Sequence, residues 1–378
     1  MLLNYPNKRK KKDILRKDHL FKLRKMSGTE SPNKLIKGNN LDALKCLLFD
    51  FNFRNKIDLV YIDPPFSTNT TFKIGQDRTR TISHSHSDDV AYDDTLIGSG
   101  FLEFLRERLI LIRELMSKNG SIYLHIDYKI GHYVKIIMDE IFGIENFKND
   151  ITRIKCNPKN FKRKAYGNVK DLVLFYTKTK DCIWNEPKVP LTDADIKRLF
   201  KKVDEDERCY TTIPLHAPGE TKNGPTGQPW RGMSPPKGRH WRSNPEVFDK
   251  LDAEGLIEWS SNGVPRKKIF SNEKKKNGKK LQDIWEYKDP QYPSYPTQKN
   301  KELLELIINT SSNEKSYVMD CFAGSGTTIL GAQKLGRLWI GIDSSEPAIQ
   351  IIKRRLKTKT DLFASKEGYE YYELDDEG

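Results

Sequence analysis

Short apolar runs alternate along the chain with segments of helical periodicity. Ile57–Ile62 (IDLVYI) is almost continuously apolar, the pattern of a strand covered on both faces, and it stops abruptly at Asp63-Pro64-Pro65-Phe66. Upstream, Leu35 and Ile36 mark a short strand over 33–38. It is closed by Gly38-Asn39-Asn40, and Leu41–Phe49 reads as a helix. Residues 67–100 are rich in Ser, Thr and Asp and read as a loop. Leu102, Leu105, Leu109, Ile112 and Leu115 then recur at helical spacing over Phe101–Met116. Ser121–Ile126 is the next strand and Tyr133–Phe142 the next helix. Ile151–Lys155 and Leu172–Tyr176 read as two more strands, suited to antiparallel pairing. From about 181 to 290 the periodicity fades, and Pro, Gly, Trp and basic residues dominate. Regular structure resumes with a helix at Asn300–Asn309, a strand at Tyr317–Phe322, a Gly-rich turn, a helix, and a strand at Leu338–Ile342. Strands alternating with helices across short links predict a parallel, doubly wound α/β sheet.

Composition narrows this picture. No run of 18 apolar residues exists among the 378, so a membrane-spanning helix is not expected. The basic N-terminus lacks the apolar stretch of a secretory signal. Five scattered cysteines without CxxC spacing argue against a disulfide framework or zinc ribbon and fit a reducing cytoplasm. His84 and His86 have no third ligand nearby and read as loop residues, so no metal is expected. The net charge of +14 is unevenly distributed. Residues 1–30 carry ten Lys/Arg against three acids, and residues 201–280 carry 17 against 11. Residues 1–30 read as a mobile basic arm, and the acidic stretch Glu367–Glu377 as a frayed tail. Two separated basic segments point to a polyanionic partner.

Two turns carry candidate chemistry. Asp320-Cys321-Phe322-Ala323-Gly324-Ser325-Gly326-Thr327-Thr328 is the end of a strand, a tight turn and a helix start. Its glycines allow close approach to the backbone, and the helix start offers free N–H groups. Asp343 ends the following strand, seventeen residues after Gly326, where an acid can accept both hydroxyls of a ribose. The turn has neither the GxGxxG spacing of a dinucleotide site nor the Lys of a P-loop, which leaves a nucleoside cofactor. In Asp63-Pro64-Pro65-Phe66, two prolines fix the backbone, so one carboxylate, rigid carbonyls and an aromatic face stand together. That set suits a planar group bearing an NH2.

An Asp-Pro-Pro-Phe turn after an apolar strand, followed later by Asp-x-Phe-x-Gly-Ser-Gly-Thr-Thr, resembles the amino-methylating DNA methyltransferases that use S-adenosylmethionine. With the catalytic motif first and a variable stretch between, the order is that of the β-class. Tyr295-Pro296-Thr297-Gln298-Lys299 resembles the family segment before the cofactor turn. Leu35–Leu44, Phe101–Asp127 and Phe147–Lys178 match family segments in order. Residues 230–242 and 262–288 resemble parts of type III Mod subunits, and the likeness spans about residues 31–355.

The resemblance implies a circularly permuted class I methyltransferase: a Rossmann-like, mostly parallel sheet of seven strands with an inserted loop-rich target-recognition domain. The divisions are then a basic arm (1–30), the catalytic half (31–180), the target-recognition domain (181–290) and the cofactor-binding half with its acidic tail (291–378). It implies that Asp320, Phe322, Gly324, Gly326 and Thr327 hold S-adenosyl-L-methionine, with Asp343 on the ribose, Asn39 near the adenine and Asp63 beside the cofactor. Thr297, Gln298 and Lys299 would hold the methionine carboxylate. Asp63 and the Pro64 carbonyl would take the target amine, with Pro65 stiffening the turn and Phe66 stacking on the base. Asp at the first motif position favours adenine N6 by family tendency. N4-cytosine methylation on the same fold is the alternative, and an inactive DNA-binding relative is a further one. Carbon-5 methylation is rejected because no Pro-Cys dipeptide occurs. The implied partners are double-stranded DNA, a second copy of the chain and a cognate restriction endonuclease, in a prokaryotic cytoplasm at the nucleoid. Within 181–290, Arg231, Lys237, Arg239 and Arg242 suit guanine or phosphate contacts. His240 and Trp241, with Trp230, suit base stacking or a small module core.

Overall fold

The apolar run Ile57–Ile62 becomes a central strand of a ten-stranded sheet, buried at every position but Asp58. In this computed structural model the described residues are 2–17, 21–64, 98–158, 164–289, 299–357 and 368–375, with the backbone alone of 71–74, 89–93 and 376. The sheet strands in chain order are β1 (Phe21–Ser27), β2 (Lys34–Lys37), β3 (Ile57–Ile62), β4 (Met116–Ile126) and β5 (Phe147–Ile154). They continue with β6 (Lys170–Thr177), β7 (Ile284–Trp285), β8 (Tyr317–Asp320), β9 (Leu338–Asp343) and β10 (Glu370–Asp376). Across the sheet they run β1-β10-β2-β9-β8-β3-β4-β6-β5-β7. Strands β2, β9, β8, β3 and β4 are mutually parallel, and β6 is antiparallel to both β4 and β5. Helices α1 (Asn40–Phe49), α2 (Ser99–Leu115), α3 (Gly131–Phe142), α4 (Lys301–Ser311), α5 (Thr327–Lys334) and α6 (Glu346–Lys357) connect them.

The seven expected strands are contiguous from β2 to β5, and three more lengthen the sheet. Two of these overturn expectations. The described part of residues 1–30 is packed rather than a mobile arm: Lys11–Ile14 forms a helical turn with Ile14 fully buried, and β1 pairs antiparallel with β10. The acidic tail is not frayed, because Glu370–Asp376 lies between β1 and β2. Opposite charges explain the pairing. Lys22 faces Asp375 and Arg24 faces Glu373, while Glu370 takes ion pairs from Lys25 and Lys34. The polar stretch 67–100 also holds an antiparallel pair, Thr71–Ile74 with Asp89–Asp93.

The chain divides into two units, Met1–Glu186 with Gln282–Gly378, and Pro187–Leu281. The module expected over 181–290 is thus narrower. Ile284–Trp285 pairs in parallel with Thr152–Arg153, and the Asn185 amide donates to the Asn309 and Ser312 carbonyls, so both flanks belong to the larger unit. The smaller unit contains a four-stranded sheet and a two-stranded ribbon of His216–Pro218 with Arg239–Trp241. Leu215, Trp230, Trp241, Phe248 and Ile257 form its core.

Candidate active site

Strand order fixes where a site can form. After β3 the chain passes through α2 to β4 on one side; after β8 it passes through α5 to β9 on the other. The adjacent strands β3 and β8 therefore flank a topological switch point, the place where open α/β sheets bind ligands beyond their carboxyl ends. Asp63 follows β3 and Asp320 ends β8, so the two motifs, 257 residues apart in sequence, meet there.

Asp320 is buried and accepts from the Phe322 N–H at 3.0 Å and the Thr328 hydroxyl at 2.6 Å. Burial, then the Asp63 and Asp343 carboxylates, push its pKa up to about 7 despite those bonds. Gly324 and Gly326 adopt positive φ (49° and 76°). A Cβ on Gly326 would stand 2.7 Å from Ile352, so the turn tolerates only glycine there. Asp343 accepts from the Gly324 N–H at 2.7 Å and the Ser345 N–H at 2.9 Å, and burial raises its pKa. Thr327 opens α5 and is buried, its hydroxyl 3.1 Å from that of Ser325. The Phe322 ring lies 6.0 Å from that of Phe104 on α2.

Asn39 caps α1 by accepting from the Leu41 N–H, and it also takes a bond from Arg108. Arg108 additionally reaches Asn40 and the Phe104 carbonyl and lies 3.5 Å over the Phe104 ring. Asn40 in turn donates to the Cys321 carbonyl at 2.8 Å. This clamp of α1 and α2 onto the Gly-rich turn was not apparent from the motifs.

Asp63 Oδ2 stands 2.9 Å from Lys299 Nζ, so Lys299 meets the catalytic motif itself. Asp63 Oδ1 is buried and has no hydrogen-bond partner among the described residues. Pro64 is buried. Pro65, Phe66, Thr297, Gln298, His84 and His86 lie outside the described residues. Beneath Asp63 runs a polar chain that motif reading missed. His125 Nδ1 is 2.9 Å from the Tyr61 hydroxyl and 3.9 Å from Asp63 Oδ1, and His125 Nε2 is 3.2 Å from Asp171. Asp171 also meets Lys155 at 2.6 Å and Arg153 at 3.6 Å. The only signal in the sequence was a histidine in an otherwise apolar strand, SIYLHI.

In the smaller unit, Lys237, Arg239 and Arg242 are exposed, with Arg239 against His216 and Arg242 bonded to the Pro214 carbonyl. His240 bonds the Gly219 carbonyl at 2.8 Å. Two residues depart from the nucleic-acid role expected of them. Trp241 is core, packed on Phe248 and bonded through its indole N–H to the Gln228 carbonyl, which leaves no face for a base. Arg231 is committed to Asp249 and Asp252.

A family model for DNA methylases matches residues 57–354. The type II methyltransferase M.EcaI of Enterobacter cloacae is 40% identical over 366 residues, covering 93% of this chain and 77% of that protein. The StyLTI Mod subunit of a type III restriction-modification enzyme from Salmonella typhimurium is 26% identical over 333 residues, covering 79% of this chain and 49% of that subunit. The chain thus spans about three quarters of the first relative and about half of the second. The solved M1.HpyAVI complex with SAM aligns over 85% of this chain and 99% of its own, at 18% identity and a TM-score of 0.44. By the extent of the family match and of the likeness to M.EcaI, the chain belongs to the DNA methylase family.

Proposed function

We propose that this DNA methylase moves a methyl group from S-adenosylmethionine to the N6 amino group of adenine in duplex DNA, with the base turned out of the helix. The observation that carries this reading is Asp63: Oδ2 is held by Lys299, while Oδ1 is buried and has no hydrogen-bond partner among the described residues. A buried unsatisfied acceptor is costly, and a donated N–H from a ligand removes that cost.

An exocyclic amine is a weak nucleophile because its lone pair is delocalised into the ring. Donating its two hydrogens to Asp63 Oδ1 and the Pro64 carbonyl favours a pyramidal nitrogen, whose lone pair then points out of the ring plane. Positioning and electrostatics supply most of the rate. The bound cofactor supplies an electrophilic methyl on a sulfonium. The residues fit that group. Asp343 accepts backbone N–H groups on both oxygens and, with two lone pairs on each, keeps capacity for a ribose diol. The start of α5 and the glycine turn allow close approach, and the carboxylates of Asp63 and Asp320 suit a cation.

Recognition of the DNA site belongs, in this reading, to Pro187–Leu281. The ribbon of His216–Pro218 and Arg239–Trp241 is an element that fits a major groove. Its His216 has a lowered pKa, from burial first and then from Arg239, Arg242 and Arg266, which marks a concentrated positive field. The reading includes a restriction endonuclease that cuts the unmethylated site and a prokaryotic cytoplasmic setting.

Asp63→Ala tests it. Transfer of labelled methyl to plasmid DNA is expected to fall at least about 100-fold, while S-adenosylmethionine still binds in calorimetry. Mass spectrometry of DNA treated with the native enzyme should show N6-methyladenine. Near-native turnover by the variant, or N4-methylcytosine in the product, would overturn the assignment.

A further inference from the structure

His125 is fully buried as the second-to-last residue of β4, and its partners fix its chemistry. The Asp171 carboxylate at Nε2 holds the ring hydrogen on that nitrogen. Nδ1 is left as the acceptor, on the side where the Tyr61 hydroxyl and Asp63 Oδ1 both stand. Among the described residues, the charged groups around the ring include Asp63 after β3, Asp171 on β6, Arg153 and Lys155 at the end of β5, Asp289 after β7 and Lys299 before α4, with Asp127 in electrostatic reach of Lys155 and Asp320 in reach of Asp63 and Tyr61. Tyr61 adds no charge, since burial and then Asp63 hold its pKa well above the ordinary value. Burial and then Lys299 lower the pKa of His125. Burial opposes ionisation of Asp171, yet the His125 and Lys155 hydrogen bonds hold it well below the usual carboxylate range.

Methylating an amine creates a surplus proton, here next to the buried Oδ1 of Asp63. We propose that His125 accepts that proton, by way of Asp63. This inference rests on the methyl-transfer reading above. The transfer forms an N–C bond on the target amine and breaks the methyl–sulfur bond, whose electron pair stays on sulfur. The methylated nitrogen is then cationic and gives one N–H proton to Asp63 Oδ1, the oxygen to which it already donates. Asp63 passes that proton to His125 Nδ1, and the Tyr61 hydroxyl turns away. The 3.9 Å separation closes to hydrogen-bond length with about 1 Å of side-chain movement, and such contacts are commonly long before substrate binds. The positive charge lost from sulfur reappears on the imidazole, so the net charge of the site is unchanged by the reaction. The proton leaves to water when the products depart.

The experiment is single-turnover methyl transfer to DNA as a function of pH, on the full chain with saturating S-adenosylmethionine. The native rate constant should fall tenfold per unit on an acid limb lying below pH ~6.5, where His125 is already protonated. His125→Gln keeps a donor toward Asp171 but removes the basic nitrogen. It should be about 100-fold slower at pH 7.5 and show no limb. Tyr61→Phe removes the hydroxyl donated to Nδ1, which makes the imidazole more basic, and the limb should move to higher pH. Calorimetric binding of S-adenosylmethionine reports whether each variant is folded. A native rate and limb in His125→Gln overturns the proposal. If that variant does not fold, an unshifted limb in Tyr61→Phe overturns it instead. Absence of any transfer by the native enzyme contradicts the methyltransferase reading itself, an outcome distinct from loss of the relay alone.

Discussion

Three aspartates stand at the carboxyl edge of the sheet, and their surroundings give each a different state. Asp63 is paired with Lys299, Asp343 is bonded by backbone N–H groups, and Asp320 is buried among other acids. With its pKa raised from 3.8 to about 7, Asp320 favours the fold most when protonated. That contribution is complete below pH ~4 and is lost as the pH rises through 7. Asn mimics the protonated acid, since it can still accept from the Phe322 N–H and donate to Thr328. Urea midpoints measured at pH 5 and pH 8 should therefore show native protein losing stability relative to Asp320→Asn as the pH rises. Parallel pH curves for the two proteins would contradict the raised pKa. Asp63, Asp320 and Asp343 were legible because each sits in a local motif whose chemistry depends on a few adjacent residues. His125 was not, because its meaning depends on Asp171, 46 residues away on a neighbouring strand. Trp241 has the same appearance in sequence whether it stacks on a base or fills a core, and only packing separates the two.

At the level of elements, legibility followed apolar content. Strands β3, β8 and β9 and the second half of β4 are buried, and their sequences are mostly apolar runs. Strands β1 (FKLRKMS) and β10 (EYYELDD) are held by pairing of opposite charge at the sheet edge, a signal that reads as a basic arm and an acidic tail until the two ends meet. The N-terminal segment is anchored further by Lys8 to Glu140 and Arg9 to Glu107, both at 2.7 Å, and by Ile14 in the main core. Ile14→Ala should accordingly cost about 2–5 kcal/mol in chemical denaturation, the usual penalty for emptying a buried site. A cost within about 0.5 kcal/mol, as for a surface substitution, would return residues 2–17 to the status of a loose arm.

For the whole molecule, the consequence is a redistribution of the +14 net charge. Of the ten basic residues of 1–30, Lys8, Arg9, Arg24 and Lys25 are paired with Glu140, Glu107, Asp375 and Glu370, so the segment offers a polyanion less unopposed field than its composition implies. The exposed positive charge of Lys237, Arg239 and Arg242 in the smaller unit has fewer acidic answers. Arg231, by contrast, is spent on Asp249 and Asp252. These two arginines of the smaller unit, eight residues apart, should therefore behave differently. If Arg239 reads a base edge, Arg239→Ala should lower discrimination at one position of the site by about 1–3 kcal/mol, roughly a ten- to hundredfold relaxation. Arg231→Ala should leave the choice of site unchanged. Sequencing of methylated positions in DNA from cells expressing each variant measures both at once. If Arg239 contacts only phosphate, its removal should instead weaken methylation evenly across sequences and reduce the salt slope of binding by about one, with the recognised site intact. That second pattern would move base recognition from the ribbon to another part of Pro187–Leu281.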